Sequence, residues 1–419
     1  MFLIAVVYTS VVKLHDHIDY WRKGWPFGFQ FPGDAISRNN FELVRTTLSL
    51  CDPEEDDENE AKKGTPAYDK LFKIQPFYSE LVKACKAHFQ PHSNICVYER
   101  KAAKKQLKCG YRLFALADSL TGYTWNLHID TGKAADTRGQ TAVKNLLPVS
   151  VIGSGFTLYM DSLFSSPRLF TELLDQNIGC CGVMSEHHSE FPQNAKNDFS
   201  ASPSRGDIRW LRKDKLLFVK WVDIREVAMC STVHESFTGQ VIKRPVEEGE
   251  GWVSKQFSCP DAVADFNRHM VGNDFEFSYS MPCTRIKCWE RVLFYHLLDL
   301  AVVNSFILYK EVMKGKGQVK GLTQKEFRVM LCKEIYKFAK GCDPDARAAA
   351  PAPAADVLCM PVFNVPGNAT AGRKTCKHCH TTTPIHCQKC LIPLCVKASK
   401  NCFKEWHELE SNKNETLIS

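Results

Sequence analysis

The C-terminal part of the chain carries metal-binding side chains at a spacing typical of zinc sites. Two Cys-x-x-Cys pairs lie eight residues apart, and three more potential ligands follow; the set is Cys376, Cys379, Cys387, Cys390, Cys395, Cys402 and His407. Thiolates and imidazoles at this spacing complete one tetrahedral zinc site and most of a second. We expect zinc here, with His378, His380 or His386 as the eighth ligand.

A carboxylate at the end of a strand is the second candidate for chemistry. Asp161 follows the strand-like run Thr157–Met160 and precedes Pro167–Gln176, whose apolar residues recur at helical spacing. Open α/β sheets bind ligands at the carboxyl ends of their strands. An Asp at this place also suits a helix cap, because it accepts backbone N–H bonds. The residues alone leave both interpretations open.

Composition limits the classes of protein that fit. The 419 residues carry 54 Lys+Arg against 47 Asp+Glu, a net charge of +7 that permits nucleic acid as a partner without requiring it. Twelve of the 19 cysteines are scattered over the first 342 residues, and seven lie between Cys359 and Cys402. This distribution favours a reducing compartment and a metal site over an extracellular disulfide framework.

Two segments near the N-terminus have unusual composition. Phe2–Val12 is apolar but lacks a basic start and is too short to span a bilayer, so we expect a buried helix and no membrane association. Seven of the nine residues 52–60 are acidic, which predicts a solvated loop because like charges repel and nothing in the segment favours burial.

The elements that position these groups follow an α/β order. Short runs of aromatic, β-branched and Leu residues predict strands, and longer runs with apolar residues at helical spacing predict helices. The predicted strands are 94–98, 111–117, 123–129, 157–160, 178–184, 215–222 and 226–232; the predicted helices are 167–176, 262–271 and 289–309. The Ala/Pro-rich stretch Ala346–Asp356 predicts a linker before the cysteine-rich module.

Several short strings follow one another along the body of the chain: Gly110–Ser119, Thr121–Trp125, Thr131–Lys133, Tyr159–Asp161 with Phe164 and Ser166-Pro167, Val219–Val227 with Ser231-Thr232, Phe266–Met270, Phe294–Asp299, Asn304-Ser305 and Ile307–Lys310. In this order they resemble the transposase domain of piggyBac elements, over roughly residues 10–312. Leu394-Cys395, Asn401–Phe403 and Trp406-His407 similarly resemble the cysteine-rich C-terminal domain of piggyBac-derived proteins.

The resemblance implies a ribonuclease-H-like α/β core in which three Asp side chains hold two magnesium or manganese ions. Such paired ions stabilise the attacking and the leaving oxygen during phosphoryl transfer. The family's second and third Asp fall on Asp161 and Asp274, and its first falls on Tyr98. We therefore expect an eroded catalytic site, and whether the chain acts as an enzyme stays open.

Other departures from the family pattern lie close to these positions. Glu99 is a poor substitute for the first Asp, because neighbouring residues of a strand point to opposite faces of the sheet. The link Lys101–Cys109 is about ten residues shorter than the resemblance implies, and Phe277 replaces a further Asp after Asp274. Asp223 matches a structural turn of the family rather than a metal ligand.

The expected organisation has five parts: a helical region at 1–90 that starts inside the family's N-terminal domain, a transposase domain at 91–312 with a β-rich insertion at about 186–260, a helical extension at 313–345, a linker at 346–372 and a zinc-binding module at 373–412. Residues 373–413 carry eight Lys/Arg against three Glu, which suits contact with phosphates.

We expect a nuclear protein that binds DNA of transposon-end type, with a homodimer as a further form. The alternatives are an active cut-and-paste transposase and a protein-interaction factor built on the zinc module.

Overall fold

The computed structural model describes residues 1–24, 29, 31–100, 111–131, 138–185, 188–192, 198–199, 202–249, 251–270, 288–317, 321–341, 359–365, 372–397 and 400–415. The chain folds as two compact units, Met1–Ala339 and Lys340–Ser419. The candidate carboxylate site belongs to the first unit and the cysteine cluster to the second.

An eight-stranded mixed sheet forms the centre of the first unit, in the order β3-β2-β1-β4-β5-β8-β7-β6. Its strands are β1 (Asn94–Arg100), β2 (Arg112–Asp118), β3 (Thr124–Asp130), β4 (Thr157–Met160), β5 (Gly179–Met184), β6 (Ile208–Lys213), β7 (Leu216–Val222) and β8 (Glu226–Ser231). The neighbours β1, β4 and β5 run parallel, and the remaining pairs are antiparallel. All seven predicted strands are present, and the structure adds β6.

Helices surround this sheet: α1 (Phe2–Val11), α2 (Arg38–Thr47), α3 (Pro53–Ala61), α4 (Gln75–His88), α5 (Arg138–Leu146), α6 (Val149–Ile152), α7 (Pro167–Leu174), α8 (Asp261–His269), α9 (Trp289–Gly315) and α10 (Gln324–Lys340). Strand residues alternate between two apolar cores. Ile95 and Val97 belong to the larger core, whereas Cys96 belongs to a smaller core that includes Ala262 of α8. The predicted buried N-terminal helix is confirmed as α1.

The acidic stretch is a helix, so the loop predicted at 52–60 is wrong. Asp52 caps α3 by accepting a hydrogen bond from the Glu54 backbone N–H at 2.9 Å, and Pro53 stands at the first helical position. Carboxylates in the first turn interact favourably with the positive end of the helix dipole, which offsets their mutual repulsion. The loop prediction considered the number of acidic residues and not their position in the first turn of a capped helix.

Helix α9 is long and apolar enough to cross a membrane by length and composition, but 61% of its most apolar window is buried within the protein. It packs beside α4, where the rings of Phe77 and Phe294 lie 5.1 Å apart. Asn304 of α9 also donates a hydrogen bond to the carbonyl oxygen of Thr124, at 2.8 Å. These contacts make α9 a core helix against the sheet.

A separate hairpin follows the main sheet and was predicted only as a loop around Glu247–Gly251. Its strands β9 (Val241–Glu248) and β10 (Gly251–Ser258) pair antiparallel over their whole length. Strands β6, β7, β8, β9 and β10 all fall within residues 186–260, for which the sequence predicts a β-rich insertion; the first three belong to the main sheet.

The described part of the second unit contains short strands followed by a helix. Its elements are β11 (Pro361–Phe363), β12 (Lys374–Thr375), β13 (Thr382–Thr383), β14 (Ile385–Cys387), β15 (Val396–Lys397), β16 (Lys400–Asn401) and α11 (Cys402–Glu415). Strand β11 pairs with β14 across more than 20 residues of sequence. The described residues thus include 359–365, which the sequence had placed in the linker, whereas the Ala/Pro-rich stretch Ala346–Asp356 lies outside the described residues.

Candidate functional site: a carboxylate beside the central strands and a paired cysteine centre

Tyr98 lies near the C-terminal end of β1, and Asp161 directly follows β4, the neighbouring parallel strand. Strands β1 and β4 pair from Asn94 opposite Thr157 to Val97 opposite Met160, so the next residue of each chain segment is Tyr98 and Asp161 respectively. Adjacent strands are about 4.8 Å apart. The sheet register therefore brings together the two positions that the sequence assigned to the first and second metal ligands.

The turn after β4 holds Asp161 in a defined place. Its Oδ1 accepts a hydrogen bond from the Leu163 backbone N–H at 2.9 Å, and its carbonyl oxygen accepts one from the Ser165 hydroxyl at 2.9 Å. The cap of α7 is Ser166, whose hydroxyl accepts from the Leu169 N–H at 3.2 Å. Asp161 thus closes the turn that precedes α7 and does not cap the helix itself.

Two glycines allow neighbouring elements to close on this turn. A Cβ on Gly182 would lie 2.2 Å from the Ser165 Oγ and 2.7 Å from the Met160 carbonyl oxygen. A Cβ on Gly139 of α5 would lie 2.0 Å from the carbonyl oxygen of Leu163. Because any side chain at these two positions would displace the turn, the glycines fix where Asp161 sits.

Tyr98 is partly buried and packs against the smaller core, which also contains Tyr159. The Tyr159 ring lies 4.9 Å from the ring of His269 on α8, and burial raises its pKa above the ordinary value for a phenol. Glu99 is oriented as the sequence predicted, on the other face of β1, where it pairs with Arg112 at 3.6 Å. The aromatic neighbours give the Tyr98 face of β1 an apolar character.

The other positions in the predicted site have different outcomes. Asp274, Phe277 and the Lys101–Cys109 link lie outside the described residues. Asp223 is held by two guanidinium groups, with Arg205 Nε at 2.7 Å and Arg244 Nε at 3.2 Å from its carboxylate oxygens. Arg205 connects the β7–β8 turn to the segment before β6, and Arg244 connects it to the β9–β10 hairpin, which is consistent with a structural role for Asp223.

The cysteine-rich unit brings its ligands together in two groups of four. The inner site consists of Cys376, Cys379, Cys395 and Cys402, and the outer site consists of Cys359, Cys387, Cys390 and His407. In each group the ligand atoms all lie within 4.8 Å of one another. All seven residues predicted as metal ligands are included in these two groups.

Distances between ligand atoms agree with tetrahedral zinc. The Sγ atoms are 3.5 Å apart for Cys379 and Cys395, and 3.7 Å apart for Cys359 and Cys390. The Cys390 Sγ lies 3.5 Å from the His407 Nε2. Four sulfurs bound to one zinc at about 2.3 Å would be about 3.8 Å from each other. Both groups therefore have the donor types and the spacing that zinc requires.

The eighth member of the two groups is Cys359, and none of the three histidines proposed from the sequence belongs to either group. His378 instead forms a third candidate group with Cys402 and Glu405. His386 Nδ1 lies 2.8 Å from the Asn364 Oδ1, and His378 Nε2 lies 3.0 Å from a carboxylate oxygen of Glu405. His380 lies in the turn after the first Cys-x-x-Cys pair. Pairing of β11 with β14 brings Cys359 beside the second pair, which local spacing did not predict.

The two sites interleave along the chain. An outer ligand comes first, then two inner, two outer and two inner ligands, and a final outer ligand. Helix α11 supplies Cys402 to the inner site and His407 to the outer one. Metal binding at both sites would therefore fix the first two turns of this helix against the short strands.

Two thiols of the cluster are poised to bind metal as thiolates. A hydrogen bond to the hydroxyl of Thr381 lowers the pKa of Cys379 to about 5. Burial opposes ionisation of Cys387, but the backbone N–H groups of Cys390 and Lys389 hold its pKa below the ordinary value. Burial raises the pKa of Cys390, in the same cluster, to about 12. In the first unit burial likewise raises the pKa of Cys230 to about 12 and that of Cys259 to about 11, so without a bound metal these three thiols stay protonated.

Three comparisons with known proteins agree with one another. A family model described as Transposase IS4 matches residues 1–306. Human PiggyBac transposable element-derived protein 5 is 23% identical over 366 residues, covering 80% of this chain and 66% of that protein, so the chain spans just under two thirds of this relative's length. A cryo-EM structure titled as a piggyBac transposase synaptic complex with hairpin DNA matches with a TM-score of 0.67 at 19% identity, covering 94% of this chain and 86% of the other. The expected transposase-like α/β fold is confirmed.

Proposed function

Because the chain belongs to the piggyBac-type transposase IS4 family, we propose that it is a transposase-derived DNA-binding protein whose catalytic centre is impaired at Tyr98. In this proposal Asp161 and Asp274 are the remaining members of the metal-binding triad. Zinc occupies the inner and outer cysteine sites, and magnesium or manganese binds at most weakly at the remnant site.

The observation that carries this proposal is the position of Tyr98 beside Asp161 in the β1–β4 register. Paired-metal phosphoryl transfer needs carboxylates that bind two ions about 4 Å apart. A phenol is uncharged at neutral pH and offers one oxygen, so it cannot replace a carboxylate that shares two cations. Glu99 does not supply the missing charge, since it pairs with Arg112 on the opposite face of the strand.

Several features support DNA as the partner. The chain has a net charge of +7, and seven exposed basic residues lie on the described part of the zinc-binding unit: Arg373, Lys374, Lys377, Lys389, Lys397, Lys400 and Lys404. The solved piggyBac transposase with the same fold is titled as a complex with hairpin DNA. Binding to transposon-end-like DNA, a homodimeric form and a nuclear location follow as parts of the proposal.

Two other functions remain as alternatives. An active transposase would need another group to supply the charge lost at Tyr98. A protein-interaction factor would use the interleaved zinc sites as a docking module, as some ubiquitin ligases do, and an E2-dependent ubiquitylation assay tests that class directly. The transposase-like sheet of the first unit favours the DNA-binding proposal over this third one.

The decisive experiment compares the natural chain with Tyr98→Asp, and with Tyr98→Phe as a matched control that keeps the ring. We expect the natural chain to bind Mn²⁺ weakly in a calorimetric titration, and Tyr98→Asp to bind it at least about tenfold more tightly, since even indirect changes around a metal alter affinity by roughly 10–100-fold. Tyr98→Phe should match the natural chain.

A plasmid excision assay and a DNA-binding measurement accompany the titration. We expect the natural chain to bind element-end DNA and to leave it uncut. Efficient excision by the natural chain would refute the impairment. Equal Mn²⁺ affinity in all three proteins would show that position 98 is not part of the metal site. Absence of DNA binding would instead refute the choice of partner.

A further inference from the structure

The inner and outer sites differ in their exposure to solvent. Three of the four inner ligands are buried, with Cys376 and Cys402 fully covered and Cys395 2% exposed. In the outer site only Cys387 is buried; Cys390 is exposed, and Cys359 and His407 are half-buried. A small oxidant in solution therefore reaches the exposed Cys390 of the outer site more easily than any inner sulfur, whereas the inner Cys379 is half-buried like the outer Cys359.

We propose that the outer site is an oxidant-sensitive zinc site, which releases its metal when Cys359 and Cys390 form a disulfide. Their Sγ atoms are 3.7 Å apart, and a disulfide bond is about 2.05 Å long, so the two sulfurs need to approach by less than 2 Å. Cys387, the third thiol of the site, is fully covered and has less access to oxidant.

Hydrogen peroxide is the oxidant class that this chemistry requires. The Cys390 thiolate attacks one peroxide oxygen, the O–O bond breaks, and the hydroxide that leaves takes up a proton, giving a sulfenic acid and water. The Cys359 thiolate then attacks the Cys390 sulfur, and the departing hydroxide takes up a second proton to form water. Two thiolates lose two electrons in total, one peroxide gains them, and zinc loses two of its four ligands.

Loss of the outer zinc has a local consequence that the structure defines. The outer site joins the segment before β11, the turn after β14 and the second turn of α11. The inner site still joins the first Cys-x-x-Cys pair to Cys395 and to the first residue of α11. Oxidation should therefore loosen the distal part of α11 while the inner half of the unit stays folded.

The test uses the full chain loaded with zinc and treated with increasing hydrogen peroxide. Zinc release is followed with a colorimetric chelator, and disulfides are mapped by mass spectrometry of peptides. We expect one zinc per chain to leave first, together with a Cys359–Cys390 disulfide, and the second zinc to leave only at higher peroxide. Simultaneous release of both ions, or a first disulfide between Cys379 and Cys395, would overturn the proposal.

Variants assign the first phase of release to one site. Cys359→Ser should reduce zinc content and abolish the early phase, whereas Cys379→Ser should remove the inner zinc and leave the early phase in place. Cys51→Ser is the matched control, because it removes a half-buried thiol of the first unit and should change neither phase. An early phase that survives Cys359→Ser and disappears in Cys379→Ser would assign sensitivity to the inner site instead. None of these readouts depends on DNA binding.

Discussion

Replacing Asp299 by Ala should destabilise the first unit strongly, because it removes one partner of a buried ion pair. Arg328 of α10 donates to the Asp299 carboxylate on α9 at 2.6 Å and to the hydroxyl of Ser10 on α1 at 2.9 Å. Arg328 is fully buried and Asp299 is 3% exposed. The contacts thus join three helices at a site that water does not reach.

The expected magnitude follows from this burial. Removing one partner of a buried pair leaves an uncompensated charge and typically costs about 3–5 kcal/mol in the free energy of unfolding. A matched surface pair on α4, Lys83 with Glu80 at 2.7 Å, has both side chains 72% exposed. Because solvent screens such a pair, Glu80→Ala should cost at most about 1 kcal/mol despite the nearly equal distance.

Urea unfolding followed by tryptophan fluorescence measures both variants under the same conditions. A double replacement, Asp299→Leu with Arg328→Met, should recover most of the lost stability, because apolar residues of similar volume often replace a buried pair without loss. A cost below about 1 kcal/mol for Asp299→Ala, or equal costs for Asp299→Ala and Glu80→Ala, would refute the reasoning from burial.

Two further predictions concern the packing at Gly182 and the pH dependence of stability. Gly182→Ala should lower stability by about 1–3 kcal/mol in thermal unfolding, because its Cβ would collide with Ser165 and with the Met160 carbonyl; an unchanged melting temperature would contradict the packing. The His296 residue is half-buried with its Nε2 atom covered, and desolvation followed by the charge of Arg100 holds its pKa well below the ordinary value. The unfolded chain takes up a proton there below about pH 6.5 and the folded chain does not, so this group should reduce stability as pH falls below that value, by up to about 1.4 kcal/mol per pH unit. His296→Gln should flatten this part of the stability curve between pH 6.5 and 5, and an identical slope in both proteins would contradict the burial argument.

The sequence by itself determined much of the first unit. Alternation of apolar residues and turn residues located the seven strands that were predicted, because strand and helix periods are properties of neighbouring residues. The opposite orientation of Glu99 followed from the same rule and is seen in its pair with Arg112. The acidic helix α3 was missed because its charge count was weighed without the cap at Asp52.

Tertiary structure determines which residues distant in sequence lie in contact. The placement of Tyr98 beside Asp161 depends on the register of two strands separated by more than 50 residues. Cys359 was visible in the sequence as one of seven clustered cysteines, yet the Ala/Pro-rich stretch before it favoured a linker. Only the pairing of β11 with β14 brings it to Cys390. Local patterns determine which ligands are available, whereas the grouping of ligands around each metal depends on contacts between segments distant in sequence.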